Sequence, residues 1–192
     1  MRNSIITLVA SLKPMGKWIA TRIAQNDVSY HGSSIVREYP AEHHLEIPGM
    51  RRGFLLACHV GERAPDVQIL LGETPTRTHT LCLGTHHVLF FFAHRKHPER
   101  SLHAWQELDV WLKGTYNDLV EAWLILPHRT EEAEHLGTRL ICDENAVLGR
   151  AYSISEDGLV LVRPDGYVGF LGRPFSLEQV RAYLASIFVG MI

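Results

Sequence analysis

The stretch HVLFFFAHRKHPERSL, residues 87–102, joins a run of apolar residues to a basic loop with two histidines and a proline. Its first six residues, His87–Phe92, are nearly all apolar, which is typical of a strand buried on both faces of a sheet. Pro98 precedes a segment with helical periodicity. The stretch therefore predicts a strand, a loop and a helix, and such a loop carries the functional residues of many α/β proteins.

Strand-like and helical patterns alternate along the rest of the chain. Leu102, Trp105, Leu108 and Leu112 form a helical stripe, and Gly114 is its predicted end. Further strands are predicted at residues 77–83, 120–126, 138–142, 158–162 and 167–171, and further helices after Thr130, at residues 145–152 and after Ser176. This order predicts a mixed α/β sheet covered by helices on both faces, which is the plan of a thioredoxin-like fold.

The first 51 residues differ from this pattern. Residues 5–24 have apolar residues at helical spacing, and Pro14 is expected to kink or split this segment. Residues 26–53 show neither the apolar spacing of a helix nor the alternation of a strand. We therefore predict two parts, a helical arm with an extended linker at residues 1–51 and a thioredoxin-like domain at residues 52–192. An amphipathic arm needs a partner surface, so the sequence favours a homodimer or a larger assembly.

Composition excludes several classes of function. The 192 residues carry a formal net charge of −2, so no basic field attracts nucleic acid. The N-terminal apolar run is too short for a membrane span and lacks a clean cleavage site for export. Three cysteines without a C-x-x-C motif indicate no disulfide framework, and a reducing cytoplasm is the expected location.

Two stretches carry a resemblance to redox proteins of the thioredoxin fold. GERAPDVQIL, residues 61–70, resembles the opening of peroxiredoxin-like proteins, and VLFFFAHRKHPER, residues 88–100, lies where they carry the active-site loop. The resemblance implies that Lys96 and Glu99 occupy the two cysteine positions and that the cis-proline position falls near Gly158. Because thiol exchange needs a thiolate, this loop is predicted to have no thiol chemistry.

A second resemblance covers nearly the whole chain. LVLVRPDGYVGFLG, residues 159–172, together with GERAPD and the upstream QNDVSYHGSSIV, is similar to the C-terminal domain of the FAD-dependent aromatic hydroxylases of the phenol hydroxylase class. The resemblance implies a redox-inactive module that serves a flavoprotein monooxygenase. The chain has neither a G-x-G-x-x-G after a strand nor a Gly-Asp pair for the ribityl chain, so FAD is expected only through a partner subunit.

The predicted functional residues therefore belong to loops and not to a catalytic centre. No catalytic, cofactor-binding or metal-binding residue is assigned. The candidate interface or loop residues are His94, Lys96, His97, Glu99, Arg163 and Asp165. Arg163 is expected either to pair with a carboxylate such as Asp165 or Asp143 within a tight hairpin turn, or to face a partner.

Two other functions stay open from the sequence. One is a thioredoxin-fold redox enzyme that uses an unconventional cysteine, namely Cys58, Cys82 or Cys142. The other is a small aromatic-ligand binding module with an apolar pocket lined by tryptophan. The chain is not expected to be catalytic alone, and if it is part of an enzyme, that enzyme is an FAD-dependent aromatic monooxygenase.

Overall fold

The computed structural model describes residues 29–30, 32–39, 58–136 and 139–189. The predicted N-terminal helix and most of the predicted linker lie outside the described residues. In the described residues, no helix combines the length and the apolar character that crossing a membrane requires.

The domain is built on a six-stranded mixed sheet. The strands of the chain are β1 Arg37–Tyr39, β2 Gln68–Leu71, β3 Thr74–Arg77, β4 His87–Phe92, β5 Val120–Leu126, β6 Leu140–Cys142, β7 Gly158–Val162 and β8 Val168–Gly172. Their order in the main sheet is β1-β8-β7-β4-β5-β6, and β2 and β3 form a separate antiparallel hairpin. Strands β4, β5 and β6 are parallel, whereas β7 runs antiparallel to β4 and to β8.

Five helices accompany these strands in the described residues. They are α1 Thr78–Leu81, α2 Pro98–Tyr116, α3 Glu131–Glu134, α4 Val147–Ala151 and α5 Leu177–Ile187. The predicted helix starts after Thr130 and Ser176 are confirmed, since the side chain of Thr130 accepts the N–H of Ala133 at 3.3 Å and the side chain of Ser176 accepts the N–H of Gln179 at 3.4 Å.

The apolar run in β4 supplies both halves of the core. Because successive side chains of a strand point to opposite faces, Leu89 and Phe91 pack with α2 and α5, whereas Phe90 and Phe92 pack on the other face. That second face is covered by β2, the end of α1 and α4. The prediction of a sheet buried on both faces is thus confirmed.

Two local predictions are wrong. Residues 77–83 do not form a strand, because the chain turns into α1 at Thr78. The buried Thr78 hydroxyl accepts the N–H of Val67 at 2.8 Å and donates to the carbonyl oxygen of Pro65 at 3.0 Å, which fixes the turn. Helix α2 also continues past Gly114 to Tyr116, because Tyr116 is buried and extends the stripe of Leu112 by one turn.

Part of the predicted linker forms the edge strand β1. Arg37 pairs with Phe170 and Tyr39 with Gly172 in a parallel ladder with β8. The buried carboxylate of Glu38 forms an ion pair with Arg173. The hydroxyl of Tyr183 donates to the carbonyl oxygen of Ile35 at 2.8 Å. Residues 32–39 are therefore held at the edge of the sheet by β8, Arg173 and Tyr183.

Candidate functional site

The loop after β4, here called the tip loop (residues 93–97), lies at the carboxyl end of the parallel strands. The N–H of Ala93 still pairs with the carbonyl oxygen of Ile125 on β5, at 3.0 Å. The N–H of His94 donates to the hydroxyl of Ser101 at 3.0 Å, so the loop turns directly into α2. The predicted sequence of strand, loop and helix is confirmed.

His94 organises the tip loop through one ring nitrogen. Its Nδ1 accepts the N–H groups of Lys96 and His97, each at 3.2 Å. The arrangement needs a neutral imidazole with the proton on Nε2, because a protonated Nδ1 has no lone pair to accept a hydrogen bond. His94 is therefore a capping residue of the loop, and its Nδ1 is not available to a metal ion.

The other three candidate residues of this region lie nearer to solvent. The Nδ1 atom of His97 lies 3.4 Å from the Oε1 atom of Glu99, and both side chains are about half exposed. Lys96 is exposed. The two positions that the resemblance assigned to cysteines thus carry an exposed ammonium and an exposed carboxylate.

Arg95, which the sequence analysis did not single out, crosses the end of the sheet. Its guanidinium donates to the carbonyl oxygen of Asp143 at 3.3 Å and to that of Glu144 at 3.0 Å. The buried carboxylate of Asp143 in turn accepts the N–H groups of Leu148 and Gly149, at 3.1 and 2.8 Å. Arg95 therefore joins the tip loop to the start of α4.

The space beneath Arg95 is nearly filled. The cavity there has a volume of about 10 Å³ and is lined by residues that include Phe92, Leu126, Gly149 and Ile154. Such a volume is about the smallest that holds one water molecule. Gly158, near the position assigned to a cis-proline, leaves no room for a side chain, since a Cβ atom there would lie 2.8 Å from Ile154. A side chain at Gly158 would therefore clash with the domain, and the cavity lined by Arg95 is too small for an extended substrate.

The three cysteines are free thiols. Burial raises the pKa of the Cys58 thiol to about 12, and the Glu62 carboxylate adds to the rise. Burial also raises the pKa of Cys82 to about 11, with a smaller contribution from Asp66. Both thiols are therefore protonated at neutral pH and are poor nucleophiles.

Cys142 differs from the other two cysteines in position. It is the last residue of β6, at the same carboxyl end of the parallel strands as the tip loop, and it is only partly buried. Burial raises the pKa of its thiol, although the nearby Arg129 side chain acts in the opposite direction. Cys142 is thus the cysteine with most access to solvent.

Arg163 and Asp165 lie in the turn between β7 and β8. The N–H of Gly166 donates to the carbonyl oxygen of Arg163 at 2.9 Å, which confirms the predicted hairpin turn. Gly166 has a φ of 82°, a value that glycine adopts without strain. Arg163 forms an ion pair with Asp165, as one of the two open interpretations expected, and its guanidinium lies 5.2 Å from the ring centre of Tyr30.

This turn fastens the segment before β1 to the domain. The rings of Tyr30 and Tyr167 meet edge to face with their centres 4.9 Å apart. Arg63 also stacks on Tyr167, with its guanidinium 5.5 Å from the centre of that ring. The side chains of Arg163 and Tyr30 are therefore engaged within this chain.

The six candidate residues form two separate groups. Phe92 pairs with Gly158, and Val88 pairs with Val162, in the antiparallel ladder of β4 and β7. The turn after β7 therefore lies at the end of β4 opposite to the tip loop, about 15–20 Å away along the strand. His94, Lys96, His97 and Glu99 form the first group, and Arg163 and Asp165 form the second.

The three tryptophans among the described residues lie apart from one another, and each has its own contacts. Trp105 is buried beside Phe91, and the indole N–H of Trp123 donates to Glu121 at 2.8 Å. Trp111 packs against Tyr116 and Arg181. A cavity of about 250 Å³ lies elsewhere, near α1, and no tryptophan lines it. Within the described ranges, no cluster of three or more His, Cys, Asp or Glu side chains is arranged to hold a metal ion.

Residues 58–189 match the family of aromatic-ring hydroxylase C-terminal domains, and the chain belongs to that family. No curated protein matches the chain. The matched residues contain every strand from β2 onward, together with the tip loop and the β7–β8 turn. The resemblance of residues 159–172 to this domain is thereby confirmed.

Solved structures of low identity share the fold. A protein assigned as the thiol:disulfide interchange protein DsbE from Chlorobium tepidum matches with a TM-score of 0.56 and 12% identity, over 69% of this chain and 97% of that chain. The mitochondrial 2-Cys peroxiredoxin from Plasmodium falciparum matches with a TM-score of 0.51 and 15% identity, over 69% and 96% of the two chains. The fold is therefore thioredoxin-like, as predicted.

A hydroxylase also occurs among the structural relatives. Aklavinone-11 hydroxylase, whose structure contains FAD and aklavinone, matches with a TM-score of 0.48 and 19% identity. The match covers 66% of this chain but 21% of the hydroxylase.

The described residues do not fit FAD. The cavity of about 250 Å³ is smaller than the sites that hold drug-sized ligands, and FAD is larger still. The loop that opens α2 follows a strand but carries Arg95, Lys96 and Pro98 where a dinucleotide site needs glycines for close approach of the pyrophosphate.

Proposed function

We propose that this chain is a redox-inactive thioredoxin-like interaction domain of an aromatic hydroxylase. In this proposal it contributes a binding surface to an FAD-carrying partner domain, in the same polypeptide or in another, and performs no chemistry by itself. The observation that carries the proposal is the exposure of Lys96, in the tip loop, and of Glu99, in the first turn of α2, at the two positions that the resemblance assigns to cysteines. Between them and the domain, Arg95 is bound to backbone carbonyl oxygens. We also propose a cytoplasmic location, because the chain has three free thiols and the cytoplasm keeps thiols reduced.

The tip loop has the features of a binding surface more than those of an active site. His94 and Arg95 are tied to the backbone of the domain, so the loop is rigid before a partner arrives. Lys96 and Glu99 then present opposite charges to solvent. Charges at the rim of an interface set its orientation and specificity. Arg163 is already engaged with Tyr30 and Asp165, so we propose the tip loop as the surface that meets the flavoprotein.

Co-purification from the native host tests this proposal. The tagged wild-type chain is expected to retain a yellow flavin-containing polypeptide or domain, identified by its absorbance and by mass spectrometry. Charge reversal in the double variant Lys96→Glu, Glu99→Lys is expected to release it. Arg150→Glu, at an exposed position on α4, is the matched control and should retain the flavoprotein. A colourless homodimer that is insensitive to the tip variant would count against the proposal.

One observation favours a second candidate function, a thiol enzyme built on Cys142. This cysteine lies at the same edge of the sheet as the tip loop, is partly exposed and has Arg129 beside its sulfur. Titration of the native chain with a chromogenic disulfide reagent separates the two candidates. One fast-reacting thiol that disappears in Cys142→Ser would support the enzyme, whereas slow reaction of all three thiols supports the redox-inactive domain.

A further inference from the structure

A cavity of about 250 Å³ opens beside α1, on the face of the sheet covered by the β2–β3 hairpin. It lies away from the tip loop. Its lining comes from the segment before β2, from α1 and its end, from the end of α4 and from the β7–β8 turn: Arg63, Ala64, Pro65, Asp66, His79, Cys82, Tyr152 and Gly166. Four separate parts of the chain thus converge on one concave site.

Hydrogen bonds between these parts hold the walls in place. The N–H of Ala64 donates to the carbonyl oxygen of Gly166 at 2.9 Å. The carbonyl oxygen of Pro65 accepts both the hydroxyl of Tyr152, at 3.2 Å, and that of Thr78, at 3.0 Å. The site is therefore formed before any ligand binds, which lowers the entropic cost of binding.

The charge at the rim of the cavity is positive. The carboxylate of Asp66 is neutralised within the wall, because Arg77 pairs with it at 2.6 Å and the N–H of His79 donates to it at 3.1 Å. Arg63 has no carboxylate within ion-pair distance in the described part of the chain, and it lies on the ring of Tyr167. Stacking of a guanidinium on a ring leaves its in-plane N–H donors free to bind a carboxylate with two hydrogen bonds.

Apolar groups form one part of the cavity wall, opposite the charged residues of the rim. Cys82 and Tyr152 are buried, and the Tyr152 hydroxyl already donates to Pro65. Pro65 and Ala64 add two half-buried apolar side chains. Burial raises the pKa of the Cys82 thiol to about 11, so the site favours binding over covalent chemistry.

We propose that this cavity binds a small carboxylate with a flat apolar body. The carboxylate pairs with Arg63 at the rim, and the apolar body lies against Pro65, Cys82 and Tyr152. The volume limits the ligand to molecules smaller than most drug-sized compounds. A phosphate group is less suitable, because Arg63 is the only arginine or lysine among the lining residues.

Benzoate and benzamide form a matched pair of probes, since they share a ring and differ in the charged group. Each is titrated into the wild-type chain while amide shifts are followed by two-dimensional NMR. Benzoate is expected to shift the amides of Ala64, Cys82 and Gly166, and benzamide is expected to bind about tenfold more weakly for lack of the charged pair. Arg63→Gln should weaken benzoate binding by about the same factor.

Arg100→Gln, at an exposed position on α2 outside the cavity, is the control and should bind benzoate as the wild type does. The spectra themselves report whether each variant is folded. The proposal is overturned by equal benzoate affinity in Arg63→Gln and wild type, by equal affinity for the two probes, or by shifts confined to other parts of the chain. These outcomes are independent of whether a flavoprotein binds at the tip loop.

Discussion

The guanidinium of Arg95 donates a hydrogen bond to the carbonyl oxygen of Asp143, 48 residues further along the chain and 3.3 Å away. This contact joins the loop after β4 to the loop after β6, across the end of β5, which lies between these two strands in the sheet. In the proposed function this contact holds the tip loop rigid for a partner.

Removing this contact is expected to cost stability in proportion to the number of hydrogen bonds lost. Arg95→Ala removes two partly exposed bonds, and we expect a loss of about 1–2 kcal/mol in the free energy of unfolding. Asp143→Ala leaves the N–H groups of Leu148 and Gly149 buried without partners, and the expected loss is about 2–3 kcal/mol. Urea denaturation measures both losses.

Arg100→Ala, at an exposed position on α2, serves as the control for the loss of one arginine. It should change stability by less than about 0.5 kcal/mol. A loss in Arg95→Ala as small as in this control would show that the contact with Asp143 contributes nothing to the rigidity of the tip loop.

His94 offers a test of the capping arrangement in the tip loop. The N–H groups of Lys96 and His97 now donate to the His94 ring. An asparagine at this position can accept both with its amide oxygen, since asparagine accepts backbone N–H groups in this way in turns. His94→Asn should therefore keep these two amides protected from hydrogen exchange, whereas His94→Ala should expose them. Faster exchange of both amides in His94→Asn, to the level of His94→Ala, would mean that the imidazole acts through packing and not as an acceptor.

The sequence predicted the elements whose signal is local. The apolar runs of β4 and β5 gave the observed bounds, because a strand buried on both faces needs an apolar residue at nearly every position. The helix starts after Thr130 and Ser176 were predicted correctly, because a hydroxyl before a helix satisfies a free N–H within the next turn. The turn at Arg163 was likewise defined by its own proline and glycine.

Contacts between distant residues could not be predicted in the same way. The acceptors of Arg95 are backbone carbonyls, which no side-chain pattern marks. Strand β1 has three residues, and it is fixed by β8 and by the ion pair of Glu38 with Arg173, 135 positions away. The cavity beside α1 depends on the turn at Thr78. The sequence predicted a strand at residues 77–83, so neither the turn nor the cavity could be predicted.

His87 is expected to make the domain less stable in acid. Burial lowers the pKa of its imidazole from 6.5 to about 4, and the nearby Arg163 adds to the shift. Between these values the unfolded chain binds a proton that the folded chain excludes, so this contribution to stability is complete above pH 6.5 and is lost as the pH falls toward 4. At about pH 5 the loss from this group is on the order of 1–2 kcal/mol.

His87→Phe keeps an aromatic ring beside Phe188 and removes the titration. The free energy of unfolding of this variant should fall less between pH 7 and pH 5 than that of the wild type, by about 1–2 kcal/mol. His128→Gln changes an exposed histidine and should retain the wild-type pH dependence. Parallel pH dependence of His87→Phe and wild type would contradict the burial of a neutral imidazole.

Two backbone positions with positive φ should respond in opposite directions to a change between alanine and glycine. Ala146, before α4, has a φ of 53°, which costs an L-residue about 1–2 kcal/mol. Ala146→Gly should therefore stabilise the domain by up to about 1 kcal/mol, after the added flexibility of the unfolded chain is subtracted. Gly166 has a φ of 82° in the β7–β8 turn, so Gly166→Ala should lower the free energy of unfolding by about 1 kcal/mol or more.

Ala185→Gly, at an exposed position with ordinary helical backbone in α5, provides the reference and should destabilise by about 1 kcal/mol. Thermal and urea unfolding of the three variants give the comparison directly. Because Ala146 follows the loop that Arg95 fastens, a stabilising Ala146→Gly should leave the exchange protection of Lys96 and His97 unchanged. If it instead lowered that protection, the left-handed conformation at Ala146 would be part of what positions the tip loop.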